Sequence, residues 1–238
     1  MSEPADPAEP DALFHYAEEL ATDPAYARGQ RPPPGPLSPE DAVTMVGRVH
    51  DGMDAAAEMR AAGAAKLGRP LACSVGCNAC CEEPVQVFLP EALRIAAWLR
   101  RPENAAARRV FLDAYPEWRA RAGDSVDELG DGFAGDARTY VAAFNAQWQK
   151  HVLCAFNQGG LCSIYPVRPL VCRNAHAVET SAHCRGDSGQ KPVRLAVSKI
   201  DEYVEKARLC LRAAHVALGG PPMRPRSVCT AVRDLVAD

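Results

Sequence analysis

Between Ser38 and Gly68 the apolar residues recur at helical spacing. Val46, Val49, Met53, Ala56 and Met59 fall three or four residues apart, which gathers them on one face of a helix as a buried stripe. Ser38 suits the N-cap, Pro39 the first helical position, and Asp41 completes a capping-box pattern. Gly68 and Pro70 should end the helix. Met45, Met53 and Met59 read as core packing. Further helices are predicted over 90–101, 103–115 and 136–150, the last with Tyr140, Val141, Phe144 and Trp148 on one side. Ser198, with Asp201 three residues on, opens a long helix that Gly219-Gly220-Pro221-Pro222 stops. A short helix from Ser227 follows. Val85 to Phe88 reads as extended, and 123–135 as an acidic, glycine-bearing loop.

Nine of the 20 prolines lie in the first forty residues, and Arg31-Pro32-Pro33-Pro34-Gly35-Pro36 excludes helix and inner strand because proline fixes φ and lacks a donor. The expected organisation is a poorly ordered proline-rich arm over 1–37, a cysteine-cluster domain over 38–222, and a C-terminal tail with a short helix over 223–238. The expected fold class is mainly α, an irregular helical domain organised around a cysteine-rich metal-binding loop region, with little β.

Charge narrows the partners. A formal net charge of -3 and a pI of about 6.1 leave no basic footprint for nucleic acid or an anionic membrane. Aromatic content of 6% offers no stacking platform for single strands. No segment approaches the roughly 18–20 uninterrupted apolar residues of a membrane span. The acidic, proline-rich start lacks the basic and apolar stretches of a secretory signal, so the expected compartment is the cytoplasm.

Cysteine changes the picture most. Ten cysteines in a cytosolic chain of this size point to metal rather than to disulfides. They cluster as Cys73-x3-Cys77-x2-Cys80-Cys81 and as Cys154-x7-Cys162-x9-Cys172, with Cys184 following after eleven intervening residues. Small residues between the first four (Ser74, Gly76, Asn78, Ala79) let one loop wrap an ion or cluster. Such a soft ligand set selects zinc, copper(I) or iron–sulfur. The eight thiolates divide into two sets of four, enough for two centres. Adjacent Cys80 and Cys81 project differently and suit two centres or a bridge. Structural zinc usually sits between separated CxxC pairs, whereas a run such as Cys73, Cys77 and Cys80 with a remote fourth cysteine is nearer to a 4Fe–4S cluster. The expected cofactor is therefore an iron–sulfur cluster or zinc. Cys210 reads as core packing within the last long helix, and Cys229 as a tail residue without a metal role.

These residues resemble the YkgJ-like cysteine-cluster family. The likeness is carried by Cys73 to Cys81, by Cys154-Ala155-Phe156 with Gly160-Leu161-Cys162-Ser163-Ile164-Tyr165, and by Arg168-Pro169-Leu170-Val171-Cys172-Arg173. It covers about 73–175 and implies a zinc- or iron-chelating CxxCxxCC domain. The first gap here is three residues rather than two. A similar cluster in the flagellin lysine N-methylase group raises, by analogy, a metalloenzyme with an open coordination position.

Around the thiolates, Arg168, Arg173 and Tyr165 are the candidate cofactor-binding residues. The two cations would offset thiolate charge or hold a substrate carboxylate or phosphate, and Tyr165 packs. Pro166 and Pro169 stiffen the turn that aims Cys162 and Cys172. His176 and His183 are candidate replacements for a cysteine ligand. The C-x3-C-x2-C string also occurs in radical SAM enzymes, but here a helix precedes it and no run of alternating strands and helices follows. The arm supplies no packed core, so a chain starting at Leu37 should fold and keep its metal. Metal content and melting temperature of the shortened protein check this; loss of metal would refute it.

Overall fold

A computed structural model describes residues 37–132, 137–220 and 225–237. All of the predicted arm except Leu37 lies outside them. Eight helices, two short 2-stranded sheets and several 3-10 turns make up the described residues, in line with a mainly α fold with little β.

Helix α1 runs Pro39–Lys66 and starts as its sequence dictates. The Ser38 hydroxyl accepts the Asp41 N–H at 3.1 Å and donates to the Asp41 carboxylate at 2.6 Å. Val46, Val49, Met53 and Ala56 are buried, but Met59 is 63% exposed. The inward position next to it belongs to Arg60, which is buried and donates to Asn174 at 2.7 Å and Asp201 at 3.1 Å. A charged side chain with two acceptors displaces the expected apolar one. Gly68, at φ +66, turns the chain out of the helix.

Helix α2 (Leu89–Leu99) lies at the centre and packs on α1 and on the C-terminal helix α8 (Val228–Val236). Its Ala92, Ile95, Ala96 and Leu99 are fully buried. Helix α3 (Ala105–Ala122) continues through Pro116, beyond the predicted end at Tyr115. Burial of Trp118 and Ala122 outweighs the backbone bond that proline removes.

The predicted loop at 123–135 is instead helical over Ser125–Gly132 (α4), because Val126 and Leu129 are buried there. Residues 133–136 fall outside the description. Helix α5 (Ala137–Trp148) sends Gln147 back to α3 and α4: its amide donates to the Ala122 carbonyl at 3.1 Å and accepts from Ser125 at 2.9 Å. Short helix α6 is Leu170–Asn174 and long helix α7 is Ser198–Ala217. Val197, one residue before the predicted Ser198, is the cap position of α7, and the Asp201 carboxylate accepts its N–H at 3.1 Å.

Strand β1 (Gln86–Val87) pairs antiparallel with β4 (Arg226–Ser227), which leads directly into α8. Strands β2 (Asn157–Gln158) and β3 (Leu161–Cys162) form a hairpin. Its two-residue loop, Gly159-Gly160, has φ of +58 and +88, as a primed hairpin turn demands.

Two apolar clusters result. One joins α2, α3, α8 and the chain around Phe156, whose ring stacks on Phe111 at 4.0 Å. The other joins α1, α7 and Leu170. Glu91 of α2 ties them together: buried, it accepts the Leu170 N–H at 2.9 Å and the Phe88 N–H at 3.4 Å. Burial lifts its carboxyl from about 4.5 to about 7, against the smaller opposing pull of these N–H groups. The native state thus holds this proton more tightly than the unfolded chain does, so Glu91 lowers stability as pH rises from about 4.5 through about 7. Glu91→Gln removes that dependence. The stability of the wild type relative to the variant should fall by on the order of 3 kcal/mol across this range. Denaturant unfolding of both proteins against pH tests it; parallel curves would refute it.

Candidate metal centre

The first cysteine segment is shaped by two local turns. Gly76, at φ +86, allows the Cys77 N–H to reach the Ser74 carbonyl at 3.0 Å. A 3-10 turn, Ala79–Glu82, then carries Cys80 and Cys81 side by side. The hydrogen bond between these two thiols pushes Cys80 up and pulls Cys81 down. Cys73 lies against 175–177: its sulfur accepts the Ala177 N–H at 3.4 Å and stands 3.7 Å from the Ala175 carbonyl.

The second segment meets the first through the backbone, where the Cys154 N–H donates to the Cys81 carbonyl at 2.8 Å. The hairpin places Cys162 on β3, and α6 carries Cys172. These residues feel one another's charge. Burial pushes Cys172 up, and Cys154, Cys162 and Cys81 add to it. Burial pushes Cys162 up to about 11, with Cys154 and Cys81 adding and the Arg168 cation opposing. Cys184 belongs to a different neighbourhood. Burial raises it, followed by Cys73 and Cys77, while Arg194 opposes. The neighbouring charges thus gather Cys81, Cys154, Cys162 and Cys172 into an inner group and Cys73, Cys77 and Cys184 into an outer one, while Cys80 stands beside Cys81 in a turn that also packs on the turn ending at Cys184.

None of the ten cysteines is in a disulfide. Among the described residues no three Cys, His, Asp or Glu side chains are already drawn in to the spacing of an ion's ligand shell. Instead the thiols pair, Cys80 with Cys81 and Cys154 with Cys229, the latter at 3.6 Å. Cys229 is therefore not a loose tail residue: it is 1% exposed in the first turn of α8. Cys210 is buried in α7, where packing accounts for it. The donor chemistry fits zinc or iron, since all eight predicted ligands are thiols and the Cys81–Cys154 contact joins the two segments that carry seven of them.

The polar candidates resolve into distinct positions. Arg173, 3% exposed, donates to the Arg168 carbonyl at 2.9 Å, the Pro166 carbonyl at 2.5 Å and Asp54 at 2.5 Å. It closes the proline-stiffened turn onto α1. Arg168 lies over the Tyr165 ring at 4.1 Å, and Tyr165 is exposed. His183 sits in the 3-10 turn that ends at Cys184. His176 is held below its ordinary value by burial and then by the Arg168, Arg60 and Arg194 cations.

Spacing alone gave no sign of three further residues. Arg194 is the cation of the outer group, and Cys229 is the partner of Cys154. Glu82 is the third: buried, it pairs with Arg185, and its other oxygen stands 2.8 Å from His151 Nδ1. Arg185 also reaches Asn78 at 3.4 Å. One carboxylate thus clamps the Cys80–Cys81 turn, the chain leading to Cys154 and the chain following Cys184. Glu82→Gln keeps the shape and loses the charge. It should lower stability by about 2 kcal/mol, the worth of a hydrogen bond to a charged group, and speed alkylation of Cys184. Melting curves and mass-resolved thiol labelling read both; an unchanged labelling rate would show that the clamp does not hold this segment.

The family model of the CxxCxxCC domain, described as a "putative zinc- or iron-chelating domain", matches residues 72–210. That is more than half of the 238 residues and spans every cysteine except Cys229. No curated protein and no solved structure matches the chain. Among the described residues no helix is long and apolar enough to cross a membrane.

Proposed function

The chain belongs to the CxxCxxCC family, and from that premise we propose that it is a metal-binding module whose thiolates hold zinc or an iron–sulfur cluster in two adjoining centres. The observation that carries this reading is the Cys154 N–H bond to the Cys81 carbonyl at 2.8 Å, which joins the two cysteine segments across the helices between them. The inner centre draws on Cys81, Cys154, Cys162 and Cys172. The outer centre draws on Cys73, Cys77 and Cys184, with Cys80 or His183 completing it. Packing of the turn Ala79–Glu82 against the turn Ala182–Cys184 supports that grouping. A run of neighbouring thiolates plus a remote one is the pattern of a cubane, so iron with sulfide is the expected content of the outer centre.

What the site does with its metal follows from what surrounds it. Arg173 is engaged by two carbonyls and Asp54, and Arg168 by the Tyr165 ring. Their engagement supports a role in shaping the site and favours a binding module over an enzyme that clasps an anionic substrate. The cation at Arg168 also offsets thiolate charge beside Cys162.

Thiolate–metal bonds in small structural sites contribute on the order of 10 kcal/mol, comparable with the whole stability of a domain. Anaerobic purification with metal and acid-labile sulfide analysis tests the reading directly. Cys162→Ser should lose the inner metal and Cys184→Ser the outer one, each leaving part of the total, while Cys210→Ser keeps all of it. Each ligand variant should also melt lower. A wild-type protein that binds neither zinc nor iron after reconstitution would overturn the proposal, and so would full occupancy in Cys162→Ser.

A further inference from the structure

Cys229 lies outside the matched domain, yet it is the cysteine whose sulfur stands 3.6 Å from that of Cys154. We infer that Cys229 is a metal ligand, and that the ion bound by Cys81, Cys154 and Cys162 takes its fourth thiolate from helix α8. This deepens the metal-binding reading and rests on it.

The geometry is specific. Two thiolates on one tetrahedral ion, each bonded at about 2.3 Å, stand about 3.8 Å apart. Cys154 and Cys229 already stand close to that separation. Cys154 is bonded through its backbone to Cys81, and Cys154, Cys162 and Cys229 share one core cluster. The position of Cys229 is enforced by the chain that follows Cys81. Gln86–Val87 pairs with Arg226–Ser227, and the Val228 N–H donates to the Val85 carbonyl at 3.0 Å. That zipper fixes the first turn of α8 against the first cysteine segment.

A small cavity of about 20 Å³ borders the sulfur pair, with Glu82, Glu83, Val152 and Ser227 among its walls. It has room for about one water beside the two sulfurs, and the Glu82 and Glu83 carboxylates are among its otherwise mostly apolar walls. On the inner ion Cys229 then takes the place that the proposed ligand set gives to Cys172, whose sulfur stays beside Cys154, Cys162 and Cys81. The ligand set then extends from the family domain into a helix beyond it.

The test uses the full chain loaded with cobalt(II) alone, whose absorption reports bound thiolates. In Cys229→Ser the affinity of the inner ion should fall by more than about 100-fold, since even changing a group that only hydrogen-bonds to a ligand costs about 10–100-fold. Its thiolate-to-cobalt band should lose about a quarter, one of four ligands. Cys210→Ser, a buried cysteine outside the site, should change neither. A second measurement needs no variant. On the unmutated protein Cys229 should resist alkylation with metal bound and label at the rate of Cys154 once metal is chelated, whereas Cys210 stays unlabelled in both. An unchanged spectrum and affinity in Cys229→Ser, or labelling of Cys229 in the loaded protein, would overturn this inference alone. Failure of the wild type to bind cobalt, zinc or iron would overturn the metal-binding reading beneath it.

Discussion

A single buried carboxylate organises the region of the cysteines. Glu82 is enclosed between Arg185 and His151, and each partner comes from a different stretch of chain. A carboxylate removed from water is costly unless charged or hydrogen-bonded groups surround it. That cost makes the arrangement specific: the turn bearing Cys80 and Cys81 is satisfied only when the chain before Cys154 and the chain after Cys184 are both in place. Thiolates crowded together repel one another, so an assembly of this kind needs such a scaffold before any ion arrives. Arg168 and Arg194, facing Cys162 and Cys184, relieve part of that repulsion.

The helices depend on a second arrangement of the same kind. Glu91 holds Leu170 to α2, and through Leu170 it fixes α6, which carries Cys172. The two apolar clusters therefore meet at a polar contact rather than along a continuous oily seam. Arg60 and Arg173, both buried, make the corresponding contacts from α1 and α6. Buried polar groups with fixed partners give the helices one register, where apolar packing alone tolerates several.

Much of this was legible in the residues. The start of α1 followed from Ser38 and Asp41, and its inward face from the spacing of Val46, Val49 and Met53. The stripe failed at Met59 because periodicity does not register that Arg60 has two acceptors waiting on other elements. The segment 125–132 looked like a loop because its glycines and acids outweigh two apolar residues, yet Val126 and Leu129 are enough once α5 covers them. Pro116 suggested a helix end that tertiary packing overrides. The cysteine clusters were plain from spacing, which is a local property. Cys229 was not, since its place beside Cys154 is set by pairing between distant strands, and no local pattern encodes that.

The pairing of Arg226–Ser227 with Gln86–Val87 also orders events in time. A ribosome makes the chain from the N-terminus, so every other cysteine has emerged before the strand that seats α8. During that interval the apolar face of α2, which α8 covers, and the thiol of Cys154 stand open together. Folding of the cysteine region is then a closing step rather than a gradual one, because the last strand completes a sheet, buries a helix face and shuts the side of Cys154 in a single docking.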